Sequence, residues 1–278
     1  MNDKNVYIGK ISYINDSPVY YGLDHGLLPA WLKMVPDVPS VLNRKIKTGQ
    51  IKVSPISAAF YAMNHRELLL LPDLSISCDG RVLSVILASN YKIDDLEGKK
   101  VMFSQDSASA ASFLKMIFNQ RKVSPVYEIG PVTDCQSISK SADAVLVIGD
   151  TALKHPWDQV FEHCIDLGQF WYEMTQLPFV FAVWAVRRSF AQKYPSRVKE
   201  IYELLLESKK QGYQNIDKVV EAGKNKLNLD QSVIEEYFDL LYCDLDDRKI
   251  KSMQLFFDSL FDQGILNERA DIEFFNPQ

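Results

Sequence analysis

Val6-Tyr7-Ile8-Gly9-Lys10-Ile11-Ser12-Tyr13-Ile14-Asn15-Asp16-Ser17-Pro18-Val19-Tyr20 is the stretch on which the reading of this chain turns. An apolar run reaches Gly9, a polar loop with Ser12, Tyr13 and Asn15 follows, and Pro18 stands where a helix starts. The order is strand, loop, helix. In open α/β sheets, ligands sit beyond the ends of such strands. Uncharged polar groups there can hydrogen-bond an oxygen-rich small molecule. A plain strand-to-helix loop with a serine cap has the same pattern.

Outward from this stretch, strands and helices alternate. Trp31–Val35 reads as a strand, Val38–Thr48 as a helix with Pro39 in its first turn and Gly49 closing it. Ile51–Ser54 is a short strand and Ser57–Met63 a helix capped by Ser57. Leu68–Leu71 has the apolar run of a buried parallel strand, and Gly80–Ser89 reads as one long strand. The series then restarts: strand Lys99–Phe103, helix Ser107–Asn119, strands Pro125–Ile129 and Ala142–Ile148. After Arg187 the pattern is helical. Val198, Ile201, Leu204 and Leu205 share one helix face, and Ile250, Met253, Phe256, Phe257, Leu260 and Phe261 share another.

Two such series predict an α/β fold of two lobes with a ligand cleft between them and extra C-terminal helices. The expected division is 1–86 with 180–278 for lobe one and 87–179 for lobe two. Gly80–Ser89 and Pro178–Val186 are the candidate crossings. Clefts between domains are favoured small-molecule sites.

Composition narrows the function. The 278 residues carry a net charge of -5, with 47% hydrophobic and 24% charged residues. That balance suits a globular domain and argues against a nucleic-acid partner. No apolar run is long enough to span a membrane. Met1-Asn2-Asp3-Lys4-Asn5 leads straight into a strand without a secretory core, so a cytoplasmic location is expected. Cys78, Cys135, Cys164 and Cys243 form no CxxC pair and are expected to be reduced and mostly buried thiols. The histidines His25, His65, His155 and His163 lack metal-ligand spacing, so no metal site is expected. No Gly-rich nucleotide loop and no GxSxG elbow occurs.

Several helix starts follow strands. Ile56-Ser57-Ala58 is one, and Ser104-Gln105-Asp106-Ser107-Ala108-Ser109 another. A serine-rich start suits a carboxylate or phosphate, and it equally suits capping. The strand Asp143–Ile148 ends in Gly149-Asp150, where Gly149 permits close approach of a ligand. Asp150 is placed either to accept from a hydroxyl or to cap the next helix. The aromatic run Phe170–Val180 reads either as a cleft wall or as a packed junction.

Taken in order, these segments resemble the chorismate dehydratase family of the futalosine route to menaquinone, a branch of the type II periplasmic-binding-protein-like superfamily. The resemblance rests on Gly9–Asn15 with Pro18, Leu42-Asn43 with Gly49, Val53–Ser57 with Tyr61-Ala62, Leu71–Leu74 and Gly80–Val85. It continues through Asp95–Gly98, Ser104-Gln105 with Ser109, Ile148–Asp150, Asp166–Gly168 and Leu177–Val180, so that it covers about residues 6–188. It implies a cytoplasmic lyase that removes water from chorismate, giving 3-[(1-carboxyvinyl)oxy]benzoate, with no metal or organic cofactor. It also implies that Asn15, Ser57, Ser84, Ser109, Gly149, Asp150 and Thr175 line the cleft. Asn15 is the expected catalytic residue. Ser12 and Ser107 join the substrate-binding set from their loops.

Three departures from the family pattern stand out: Ala58 and Ala108 replace hydroxyl residues, and Gln176 replaces a glycine. All three are expected near the cleft, where they would weaken chorismate binding or shift specificity. The alternatives are a non-catalytic carboxylate-binding protein of the same fold, and the related 1,4-dihydroxy-6-naphthoate synthase. Against the latter, Ile14-Asn15-Asp16-Ser17 differs from its Pro-Asn-Asp-Thr-like loop.

Overall fold

The computed structural model describes residues 5–104 and 108–276. Two five-stranded mixed sheets organise the chain, and they share no strand.

The first sheet contains β1 (Val6–Ile11), β2 (Leu32–Asp37), β3 (Val53–Ser57), β4 (Leu68–Cys78) and β10 (Phe179–Arg187), in the order β2-β1-β3-β10-β4. Strand β1 runs parallel to β2 and β3, whereas β10 is antiparallel to both β3 and β4. The second sheet contains β5 (Val85–Ser89), β6 (Lys100–Ser104), β7 (Val126–Gly130), β8 (Ala144–Ile148) and β9 (His163–Asp166), in the order β7-β6-β8-β5-β9. Here β6 is parallel to β7 and β8, and β5 is antiparallel to β8 and β9. Each sheet therefore has three parallel strands, then one antiparallel strand that enters from the other half of the molecule, then an edge strand.

Short helices connect the parallel strands: α1 (Ser17–Gly22), α2 (Pro39–Lys47) and α3 (Ala58–Met63) in the first half. The second half has α4 (Ala108–Arg121), α5 (Cys135–Ser139), α6 (Gly149–Lys154) and α7 (Leu167–Thr175). The return strand β10 leads into α8 (Arg188–Lys193), α9 (Pro195–Gln214), α10 (Ile216–Leu227), α11 (Gln231–Leu240) and α12 (Asp247–Asp262). The expected apolar faces of α9 and α12 are buried at Val198, Ile201, Leu205, Met253, Phe256, Phe257 and Leu260. Helix α9 lies hard against α1. A Cβ on Gly212 would sit 2.0 Å from the Pro18 carbonyl oxygen, so only glycine allows this crossing.

Two sequence expectations change. Leu68–Leu71 was expected to be a parallel strand; it opens the longer β4, which pairs antiparallel with β10. A strand buried on both faces has the same apolar run whichever way its neighbour points. The expected long strand Gly80–Ser89 is a strand only from Val85. Before it the backbone turns, with Gly80 at φ +111° and Leu83 at φ +61°. Asp166 fixes that turn: Oδ2 accepts from the Val82 and Leu83 N–H groups at 2.9 and 2.7 Å. Its Oδ1 accepts from Gly168 and Gln169 and so caps α7. One carboxylate thus ties the outgoing crossing to the helix that precedes the return.

Cys78, Cys135 and Cys243 are buried free thiols and Cys164 is an exposed one. Among the described residues no helix is long and apolar enough to cross a membrane.

Candidate functional site

A small cavity lies between the two sheets. Its apolar walls include Ile11, Ile56, Ile76, Val82, Ile148 and Phe181, and Tyr13 lies across one side. Asn15, Ser57, Ser84, Ser109 and Gly149 bring polar groups to the same space. Apolar walls with a few placed polar groups are what a small-molecule site requires. Among the described residues none that lines the cavity is ionisable other than Tyr13, so substrate charge would meet neutral hydrogen-bond donors from them.

Asn15 belongs to a 3-10 turn, Ile14–Asp16, that joins β1 to α1. Its Oδ1 is buried and has no hydrogen-bond partner. Leaving such an atom unpaired costs about 1–3 kcal/mol.

The three serines differ in what they already hold. Ser57 caps α3, its Oγ accepting from the Phe60 N–H at 3.2 Å. Ser84 Oγ accepts from the Tyr237 hydroxyl at 3.0 Å. Burial pushes the Tyr237 phenol upward, so it remains a donor at neutral pH. The hydrogen of Ser84 is left to be given elsewhere. Ser109 reaches from α4 to the first sheet: it accepts from the Ala59 N–H at 3.1 Å and donates to the Phe181 carbonyl at 2.9 Å.

Gly149 starts α6 with φ +62°. A Cβ there would meet ring carbons of Tyr13 at 2.7 Å. Glycine is thus required both for the backbone angle and for the seat of the aromatic ring.

The other expected site residues lie elsewhere. Ser12 is exposed, and its carbonyl accepts from Lys226. Thr175 ends α7, donating to the Trp171 carbonyl at 2.8 Å and accepting from the Leu177 N–H at 3.2 Å. Asp150 sits just outside the lining; its Oδ1 accepts from the Ile14 N–H at 2.9 Å and its Oδ2 pairs with Lys226 at 2.9 Å. Ser107 lies outside the described residues. In the aromatic run, Trp171 and Phe179 pack with Phe113 and Phe256 in a buried cluster, the packed-junction alternative.

Of the three departures, only Ala108 lines the cavity. Ala58 is fully buried outside the lining. Gln176 is an exposed helix end with φ +57°, its amide donating to the Tyr172 carbonyl. Gln176, expected near the cleft, lies outside the cavity lining, at a left-handed helix terminus.

Sequence reasoning passed over Asp16. It is fully buried, its Oδ2 accepts from the Ile11 N–H at 2.6 Å, and its Oδ1 has no partner. Burial holds its carboxyl well above the usual carboxylate range, against the opposing pull of Lys10. The signal was an acidic residue inside an otherwise neutral loop. Among the described residues no three or more His, Cys, Asp or Glu side chains gather as a metal site would require.

A family model described as menaquinone biosynthesis matches residues 6–262. A chorismate dehydratase of Thermus thermophilus is 29% identical over 245 residues, 83% of this chain and 86% of that protein. Another, of Campylobacter jejuni, is 29% identical over 208 residues, 71% and 78% of the two chains. Among solved structures, an Archaeoglobus fulgidus protein superposes with TM-score 0.76 at 18% identity, covering 96% of this chain and 100% of that one. The alkanesulfonate-binding protein of Xanthomonas axonopodis, bound to MOPS, gives 0.66 at 14% identity and covers 96% of each chain. A Candida albicans protein with the generic periplasmic binding protein fold gives 0.64 at 11% identity, covering 96% of this chain and 92% of that one. These structural likenesses make the fold periplasmic-binding-protein-like.

Proposed function

From the premise that this chain belongs to the menaquinone-biosynthesis family, whose model spans residues 6–262, we propose that it is a chorismate dehydratase. The reaction removes water from chorismate and leaves 3-[(1-carboxyvinyl)oxy]benzoate, in the cytoplasm and on the futalosine route. The observation that carries this reading is Asn15 on the wall of the cavity between the sheets, its buried Oδ1 unpartnered among the described residues. Two curated relatives that match most of this chain are chorismate dehydratases.

The chemistry asks little of the protein. A ring C–H bond and the neighbouring C–OH bond break, a ring double bond forms, and aromatisation drives the change. Among the described residues the cavity lining offers no imidazole, amine or carboxylate as a base. In the proposed reaction a carboxylate of the substrate itself takes the ring proton and passes it to the departing hydroxide, which leaves as water. The protein's part is to hold the reactive conformer, which is worth several kcal/mol. Asn15 orients the departing hydroxyl or the side-chain carboxylate, since its amide both donates and accepts. Ser57 and Ser84 supply neutral donors from opposite sides.

In the same reading, residues 1–86 with 180–278 form one lobe and 87–179 the other. Separate sheets of equal strand order support that division, with β5 beginning slightly before the boundary, at Val85. The turn held by Asp166 then belongs to the hinge.

The test is to mix purified protein with chorismate and follow ultraviolet absorbance and mass. The expected product is aromatic and lighter than chorismate by one water. Tight binding with no product would instead favour a carboxylate-binding protein. A product of unchanged mass would mean an isomerase.

A further inference from the structure

Asn15 accepts no hydrogen bond at its Oδ1 from the described residues. Its side chain is therefore aimed by the backbone that carries it, and that backbone is held from two directions. On one side of Tyr13, the Ile14 N–H donates to Asp150 Oδ1 at 2.9 Å. On the other, the Ser12 carbonyl accepts from Lys226 Nζ. The two holders are themselves joined, Lys226 Nζ to Asp150 Oδ2 at 2.9 Å. Asp150 is in the first turn of α6, after a strand of the second sheet, and Lys226 is in the last turn of α10. The loop they grip leaves β1 of the first sheet.

We infer that Asp150 and Lys226 are positioning residues, a clasp that fixes the Asn15 loop against the second sheet and so sets the aim of Asn15. The inference rests on the dehydratase reading for its kinetic consequence, but the clasp itself is a statement about the loop. Three parts of the chain meet in it: the first loop, the start of α6, and a helix that follows the return strand. The Tyr13 ring, seated over Gly149 between the two grips, fills the angle between them. Neither Asp150 nor Lys226 lines the cavity, so each acts through the loop. A displacement of about an ångström in a group that orients substrate is enough to cost about a hundredfold in rate. Loosening one of several holds costs less than that.

The experiment combines kinetics with amide hydrogen exchange, using Lys226→Met, Lys226→Arg, Asp150→Asn and the Asp150→Asn/Lys226→Met double variant. Lys226→Met keeps the apolar stem and removes the charged head. It should lower kcat about tenfold while KM changes less than about twofold, because the serines on the walls stay in place. Lys226→Arg should recover most of the loss. The double variant should be no slower than the worse single, since both break one device. In the unliganded protein, the Ile14 amide should exchange several-fold faster in Lys226→Met than in wild type, with core strand amides unchanged. Equal loss in Lys226→Arg and Lys226→Met, multiplicative losses in the double variant, or an unchanged Ile14 amide would each overturn the clasp. If wild type fails to turn over chorismate, the dehydratase reading falls, and the Ile14 exchange still decides the clasp.

Discussion

The two sides of the cavity use serine in different ways. Ser57, on the first-sheet side, serves its own helix, its hydroxyl accepting from Phe60 three residues on. Ser109, on the α4 side, ties down neighbours that belong to the first half of the fold, Ala59 and Phe181. Asp150 and Gly149 follow the second habit: one accepts from Ile14 and the other makes room for Tyr13. One side is built locally. The other holds the cavity together across the gap. Residues of the second kind should therefore matter most to stability across the gap, and those of the first kind to their own helix and to substrate binding.

The strongest challenge to this contrast is Gly149→Ala. It forces a side chain into the left-handed region and against the Tyr13 ring. A loss of about 2–3 kcal/mol in unfolding free energy is expected from strain and overpacking together. Turnover should drop about a hundredfold as the first loop moves. A variant with wild-type kinetics would show that the Tyr13 seat is irrelevant to the site.

Next comes the serine pair itself. Ser109→Ala leaves a buried N–H and a buried carbonyl without their partner and should cost about 2–3 kcal/mol in chemical denaturation. Ser57→Ala removes an N-cap and should cost about 1 kcal/mol. If the two losses are equal, the distinction between local and cross-cavity serines has no energetic content.

A smaller effect separates the buried Asp16 from the exposed charges around it. Its neighbours in charge are Lys10, Asp24 and Lys226, with Tyr20 beside it. Since its folded carboxyl titrates above an unfolded value of about 3.9, it favours the fold most at low pH. That contribution is lost as pH rises through the folded value. Asp16→Asn cannot lose it. The stability of Asp16→Asn relative to wild type should therefore climb from about pH 4 upward, read from urea unfolding at a series of pH values. A flat difference would mean that the Asp16 carboxyl titrates alike in the folded and unfolded chain.

The smallest effect is Gln176→Gly at the end of α7, where φ is +57°. Relief of the left-handed penalty should raise stability by up to about 1 kcal/mol and leave KM for chorismate unaltered. A changed KM would put Gln176 back at the cleft, contrary to its exposed position.

The same contrast explains what could be read from the sequence. The β1 strand, the Ser57 cap and the terminal helix faces are encoded over a few neighbouring residues, so periodicity and capping rules reach them. Asn15, Ser57, Ser84, Ser109 and Gly149 were expected together and do line one cavity. The direction of β4 was not legible, because its apolar run is the same for either pairing. Nor were the partners of Ser84 and Asp150. Tyr237 and Lys226 come from α11 and α10, well beyond residues 6–188, over which the motifs are read in the sequence. Asp150 was weighed as a cap or a hydroxyl acceptor, and no local pattern pointed to the Ile14 amide. Thr175 and Gln176 were expected in the cleft from their place in a motif, but that motif shapes the end of α7.

The central claim is that Asn15, aimed into the cavity between the sheets, carries the dehydration while the walls bind the substrate. Its most direct test compares wild type with Asn15→Ala by calorimetric titration with chorismate, followed by single-turnover quench and mass analysis. The account predicts that Asn15→Ala keeps its fold and binds chorismate within about tenfold of wild type, yet forms product at least about a hundredfold more slowly. Product formation by Asn15→Ala at the wild-type rate would contradict it.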